Sequence, residues 1–232
     1  MKVLPADDQC EPPGIFDAIA IDGAALVHLL STANIKTFDE YAMSIFLPHL
    51  VKQLQKCSRL DVVWDTYIAD SIKASTREKR GHGIRRKVAG KNLVPTNWRK
   101  FLRDENNKQE LFEFLSDKIV AYNYPEEKEV FVTKGQEVLA NKVTSQMSLC
   151  DHEEADTRLI VHIGDALTKG WSTCLVRTVD TDVVVILIGK FFHFNTLNSA
   201  ANIWVAFGSG KNFSFWHMNT ICHNLGRQKS QA

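Results

Sequence analysis

Two acidic clusters each abut an apolar segment, His152-Glu153-Glu154-Ala155-Asp156 and Val179-Asp180-Thr181-Asp182. Two further aspartates end apolar runs: Asp22 in Ala18-Ile19-Ala20-Ile21-Asp22, and Asp65 in Val62-Val63-Trp64-Asp65. Carboxylates gathered at the ends of buried segments repel one another and lose hydration, a cost that a cation held between them relieves. Magnesium suits that role, because it prefers oxygen ligands and keeps several waters. Two such ions roughly 3.5–4 Å apart hold a scissile phosphate, acidify an attacking water and stabilise the leaving oxygen. The chemistry to expect is hydrolysis of a phosphodiester by in-line displacement.

The distribution of charge agrees with an anionic partner. The chain has 232 residues with 28 Lys and Arg against 27 Asp and Glu, a formal net charge of +1. Between Lys73 and Lys100 lie ten of those bases (Lys73, Arg77, Lys79, Arg80, Arg85, Arg86, Lys87, Lys91, Arg99, Lys100) and one acid, Glu78. That stretch therefore carries +9 and the remainder −8. A basic segment beside an acidic centre fits phosphodiester chemistry, with cations on the backbone and carboxylates on the metals. The same run would also serve as a solvated loop or a localisation signal. As a binding element it favours a partner recognised by its backbone rather than its base sequence.

The elements that must position these acids alternate between strand and helix. Phe16 to Ile21 and Leu60 to Trp64 read as buried strands, Glu129 to Thr133 as a third and Thr173 to Val179 as a fourth. Ala24 to Leu30 begins a helix. Phe38 to Gln55 has helical spacing through Tyr41, Ile45, Phe46, Leu50 and Leu54, with Pro48 expected to kink it. Glycines 81, 83 and 90 argue for a helix followed by a mobile loop over Lys73 to Lys91. Asn97 to Tyr122 reads as one helix. Asp151 is placed as N-cap of another, with Glu154 as its capping-box partner, ending near Lys169 before Gly170. This order predicts an α/β fold, a mostly parallel central sheet flanked by helices, Rossmann-like and three-layered. In such sheets binding residues gather beyond the carboxyl ends of the strands, where Asp22, Asp65 and Asp180 fall.

Hydrophobic residues make up 44% and charged residues 24%, as in ordinary globular proteins. No apolar run approaches the roughly 18–20 residues that span a bilayer, and Met1 to Pro13 lacks the core of a signal peptide. These features point to an intracellular protein without a membrane partner, and the basic run to a nuclear one. Residues 1–13 read as a disordered lead-in. The five cysteines, Cys10, Cys57, Cys150, Cys174 and Cys222, have no paired spacing and read as free thiols, most of them in or near the core. His152 belongs to no zinc-protease pattern, because position 156 is Asp. His28, His49 and His162 read as core-edge or surface residues, and Trp98 as an anchor for the helix that follows it, with base stacking as the alternative.

Taken together, Ile21-Asp22-Gly23-Ala24, Val63-Trp64-Asp65, Glu154-Ala155-Asp156 and Thr178-Val179-Asp180-Thr181-Asp182 resemble the successive carboxylate motifs of PIN-like nucleases. The branch they resemble is the flap endonuclease/XPG group, over about residues 16 to 190. The resemblance implies that Asp22, Asp65, Glu154, Asp156, Asp180 and Asp182 bind two divalent ions, Mg2+ or Mn2+. Asp22, Asp156 and Asp180 would be the inner ligands. It also implies that Lys73 and Arg80, seven apart and sharing a helical face with Arg77, contact the scissile phosphate. Lys79, Arg85, Arg86 and Lys87 would extend a nucleic-acid-binding surface, DNA ahead of RNA. Glu153 is assigned to the surface of the helix's first turn, where its charge suits the dipole. Residues 14–232 would form a single domain of this kind.

The chain departs from the family at three points. Asp156 stands where Glu is more usual. The last fifty residues contain no Asp or Glu, so a further aspartate in a Gly-rich turn and the helix-hairpin-helix after it are missing, and the domain reads as C-terminally incomplete. Val183 to Ile188 has strand propensity, whereas the resemblance implies a short helix, the reading adopted here. An inactive nucleic-acid-binding or scaffold protein is therefore the alternative. Asp180-Thr181-Asp182-Val183-Val184 also fits the pattern of haloacid dehalogenase-type phosphatases, which need downstream acids that this chain lacks. Taken singly, each acid is also accounted for as a helix-start or turn residue.

Overall fold

A computed structural model describes residues 11–66, 84–143, 147 and 154–227. The apolar run opening the chain becomes β1 (Phe16–Asp22), whose burial is nearly continuous, as expected of a strand covered on both faces. It is followed by α1 (Gly23–Leu29), α2 (Phe38–Tyr41), a π-helical turn (Ala42–Phe46), α3 (Leu47–Leu54) and β2 (Cys57–Val63). Next come α4 (Trp98–Phe101), α5 (Glu105–Ala121), β3 (Glu129–Lys134) and β4 (Glu137–Ala140). The chain continues through α6 (Ala155–Thr168), β5 (Thr173–Thr178), α7 (Thr181–Leu197), β6 (Asn202–Phe207), β7 (Ser214–His217) and α8 (Met218–Leu225).

The seven strands form one sheet in the order β4-β3-β2-β1-β5-β6-β7. The five inner strands pair in parallel, and β4 and β7 close the edges antiparallel. From β1 the chain works outward through β2 and β3, then returns to place β5 on the other side of β1. The reversal leaves a crevice between β1 and β5 at the carboxyl edge, where open α/β sheets bind their ligands. The fold is α/β with three layers. Ile19, Ile21, Leu60 and Val62 turn to a core built with α1 through α5, and Ala18, Ala20, Cys174 and Val176 to one built with α6, α7 and α8. Among the described residues no helix is long and apolar enough to cross a membrane.

Several local expectations are corrected. The segment from Phe38 passes through a π-helical turn just before Pro48. Pro48 cannot donate to the Ser44 carbonyl, and Leu47 N–H reaches back to Ala42 in a wider turn. Asn97 to Tyr122 is two helices, because Asp104 caps Asn107 N–H and starts α5 afresh. The helix after the first acidic cluster begins at Ala155 with Glu154 at its N-cap, while Asp151 lies outside the described residues. Gly170, at φ +90°, ends that segment in the backbone conformation glycine tolerates best. Val183 to Ile188 is helical, within the long α7. The edge strands β4 and β7, the inner strand β6 and the final helix carry no expectation from the sequence.

Cys57, Cys174 and Cys222 are free and buried. Trp98 is also buried. It donates its indole N–H to Val27 and stacks on Phe101, an anchor rather than an exposed base-stacking face.

Candidate active site

Asp22 is the last residue of β1 and the N-cap of α1, where its Oδ1 accepts Ala25 N–H at 2.9 Å. Its neighbour must be glycine, since a Cβ on Gly23 would overlap the Trp64 ring. Trp64 is fixed in turn: it stacks on Phe112 with centroids 4.4 Å apart and donates its indole N–H to Ser116 at 2.9 Å. The tryptophan that follows β2 therefore sets how closely the end of β1 approaches it.

Asp65 extends from that tryptophan and reaches across to α6, accepting Ala155 N–H at 2.9 Å. A carboxylate at a helix N-terminus satisfies an orphan donor and meets the positive end of the helix dipole. Asp65 therefore caps a helix ninety residues away and draws Glu154 and Asp156 towards the strand ends. Asp180 caps α7 in its own chain segment, accepting Asp182 N–H at 2.9 Å, and its own N–H is held by Thr178. Asp182 is exposed on the first turn of α7 beside it.

The fields of these groups act on one another. Burial pushes the Asp22 carboxyl up to about 7, and the negative charges of Asp65 and Asp180 add to the rise against the pull of Ala25 N–H. Burial likewise raises Asp156, with Glu154 and Asp180 adding to it. Carboxyls from β1, from the segment after β2, from the start of α6 and from the start of α7 thus meet at the carboxyl edge, around the β1–β5 crevice. Asp22, Asp65, Glu154, Asp156 and Asp180 are brought together, and Asp182 lies alongside.

This donor set is all oxygen and short of positive charge, which fits Mg2+ or Mn2+. Among the described residues no three acidic, His or Cys side chains are already arranged around one point. The reason is local: Asp22, Asp65, Asp156 and Asp180 each accept a backbone N–H at or near a helix start.

Four residues missed in the sequence, Arg158, Arg59, Asp61 and Asp165, hold the site. Arg158, fully buried on α6, donates to the Trp64 carbonyl at 3.1 Å, to Thr66 Oγ1 and to the Gly135 carbonyl at 2.7 Å. It thereby holds the Trp64 carbonyl and the Thr66 hydroxyl, on either side of Asp65. Beneath α6, Arg59 and Asp61 of β2 form a buried ion pair at 2.8 Å, and Arg59 extends to Asp165 at 2.6 Å. His162 Nδ1 meets Asp61 at 2.7 Å, so that histidine is a core residue rather than a core-edge one.

The basic stretch is only partly described. Lys73, Arg77, Lys79 and Arg80 lie outside the described residues, as do His152 and Glu153. Arg85 pairs with Glu110 of α5 and donates to Asn107 at 2.8 Å. An arginine whose fork is already filled by a carboxylate has little left for phosphate. Arg86 and Lys87 are exposed. Compared with protein-family models, with curated proteins and with solved structures, the chain matches none.

Proposed function

We propose that the protein is a metal-dependent phosphodiesterase acting on nucleic acid, a structure-selective nuclease of the PIN-like, flap endonuclease/XPG-type kind. One observation carries this reading: acids from four separate segments lie close at the reversal point of a parallel sheet, where burial first and then the neighbouring carboxylates raise Asp22 and Asp156. Perturbed carboxyls clustered in a crevice are what catalytic sites tend to contain. Ordinary helix caps account for each acid alone but not for their meeting.

Asp22, Asp156 and Asp180 would hold one Mg2+ or Mn2+ ion, and Asp65, Glu154 and Asp182 a second, directly or through water. When bound, such ions neutralise phosphoryl charge and supply a more acidic water for in-line attack. The chain's own part is positional. Arg158 and Asp65 lock the start of α6 to the end of β2, and Trp64 sets the spacing between β1 and β2. Lys73 and Arg80 would neutralise charge on the phosphate oxygens. Arg86 and Lys87 would track the backbone, in an intracellular, nuclear setting with DNA preferred to RNA.

The test is a Mg2+- or Mn2+-dependent cleavage assay on branched, flapped and single-stranded substrates, with Asp180→Asn beside the wild type. Cleavage lost in the variant is the expected result, a fall of about a hundredfold or more. Cleavage unchanged by the substitution removes the proposal. No cleavage by either protein, with salt-sensitive binding weakened by altering Lys73 and Arg80, replaces it with a binding module that keeps the fold without turnover.

A further inference from the structure

On the face of the sheet covered by α1 to α5, the same core extends beyond β1 to Leu175 of β5 and to Trp204 and Ala206 of β6. There an open groove of about 760 Å³ runs between α3 and the β5–β7 end of the sheet. Its lining includes His49, Lys52, Lys56 and Arg177 and the rings of Phe213 and Phe215, and among the described residues no Asp or Glu. Lys52 and Lys56 are exposed, and both phenylalanines are 39% exposed. Arg177 is half-buried on β5 beside the crevice, where it shares a small pocket with Asp22. Its one described partner is the Phe213 ring, 5.1 Å from the guanidinium carbon.

Arg177 is half-buried and, among the described residues, no carboxylate is paired with it, which leaves its guanidinium able to receive an anion. The cations also act on one site, since burial and then the charges of Arg177 and Lys52 hold the His49 imidazole below its ordinary range. Exposed phenylalanine rings between cations are the combination that binds unpaired nucleic-acid strands, with bases on the rings and phosphates on the bases' cationic neighbours. A duplex offers phosphates but keeps its base faces stacked, and an acidic peptide offers charge without flat rings.

We propose that this groove holds a single-stranded segment of nucleic acid leading towards the acid cluster, its phosphates at Lys52, Lys56 and Arg177 and a base on Phe213 or Phe215. The proposal deepens the nuclease reading and rests on it for the direction of the strand. Arg177 and Leu29 line both the groove and the pocket against Asp22, so the two sites are contiguous.

The test is fluorescence anisotropy with a labelled mixed-sequence single strand of about twelve nucleotides, a length within the usual range of such sites. It is run in EDTA, so that binding is measured apart from cleavage. The wild type and Asp180→Asn are expected to bind alike and to prefer the single strand to a duplex of equal length. The double variant Lys52→Glu, Lys56→Glu is expected to weaken binding about tenfold and flatten its salt dependence. Phe215→Ala is expected to weaken it by about tenfold with the salt dependence unchanged. These positions lie on the surface, and unchanged thermal unfolding of the variants excludes a fold defect as the cause.

No binding by the wild type overturns the proposal, and so does equal binding by both groove variants. Displacement of the strand by polyglutamate as readily as by unlabelled oligonucleotide overturns it in favour of an acidic peptide. Loss of cleavage in Asp180→Asn alongside full activity and binding in the groove variants overturns the groove while leaving the nuclease reading intact. Groove-dependent binding with no metal-dependent cleavage keeps the groove and discards the nuclease.

Discussion

Asp22 and Asp61 are both buried carboxyls with opposite fates. Although burial alone would raise it, Arg59 and His162 hold Asp61 below the ordinary carboxylate range. Asp22 has no such cation among the groups acting on it, and burial with two neighbouring acids takes it to about 7. The sign of the pH dependence follows. Because its folded pKa lies above the unfolded value of about 3.9, Asp22 supports the fold fully below pH 4 and loses that support as the pH rises through 7. Above that, the bare carboxylate costs on the order of 4 kcal/mol. Asp22→Asn keeps an oxygen for Ala25 N–H, so in EDTA at pH 8 it should unfold at higher denaturant than the wild type, with the gap closing towards pH 4. Equal stability at pH 8 would mean that no uncompensated charge resides there. The acids were legible in the sequence because each interrupts or ends an apolar run. Arg158 was not, because on a helix it reads as one more polar residue, and its partners lie across the fold at Trp64, Thr66 and Gly135.

At the scale of elements, the ion network under α6 decides where Glu154 and Asp156 stand. Arg59, Asp61, His162 and Asp165 tie that helix to β2, with the Arg59 guanidinium carbon also 4.3 Å from the centroid of the Phe131 ring. Removing one partner leaves a buried charge uncompensated. Asp61→Asn should cost roughly 3–5 kcal/mol, measured by denaturant unfolding at pH 7. The penalty should shrink on acidification, because a depressed pKa gives stability that is present above the unfolded value and lost as the pH falls through the folded one. A penalty independent of pH would contradict an ionic origin. Four of the five inner strands, β1, β2, β3 and β5, were readable from their apolar runs. The edge strands β4 and β7 were not, because they are short and only partly buried, so little alternation marks them. The break before α5 escaped notice because Phe101, Leu102, Leu111 and Phe112 keep a helical rhythm across Asp104.

For the whole molecule, the order of strands does the work that no single motif can. Because the chain reverses at β1 and β5, the carboxyl ends of β1, β2 and β5 are neighbours, and acids more than a hundred residues apart come to share one crevice. That convergence was inferred from the sequence as acids lying beyond strand ends, and the α/β architecture was legible from the alternation of strands and helices. The groove between α3 and the β5–β7 end of the sheet was not, since the exposure of Phe213 and Phe215 depends on how distant segments pack around them. The central claim is that the converging acids take up divalent cations, and calorimetric titration with Mn2+ at pH 8 tests it most directly. Saturable uptake by the wild type, weakened about tenfold or more by Asp22→Asn and by Asp180→Asn but unaffected by Asp117→Asn on the surface, is the predicted result. No uptake by the wild type, or identical binding curves for all four proteins, would contradict it.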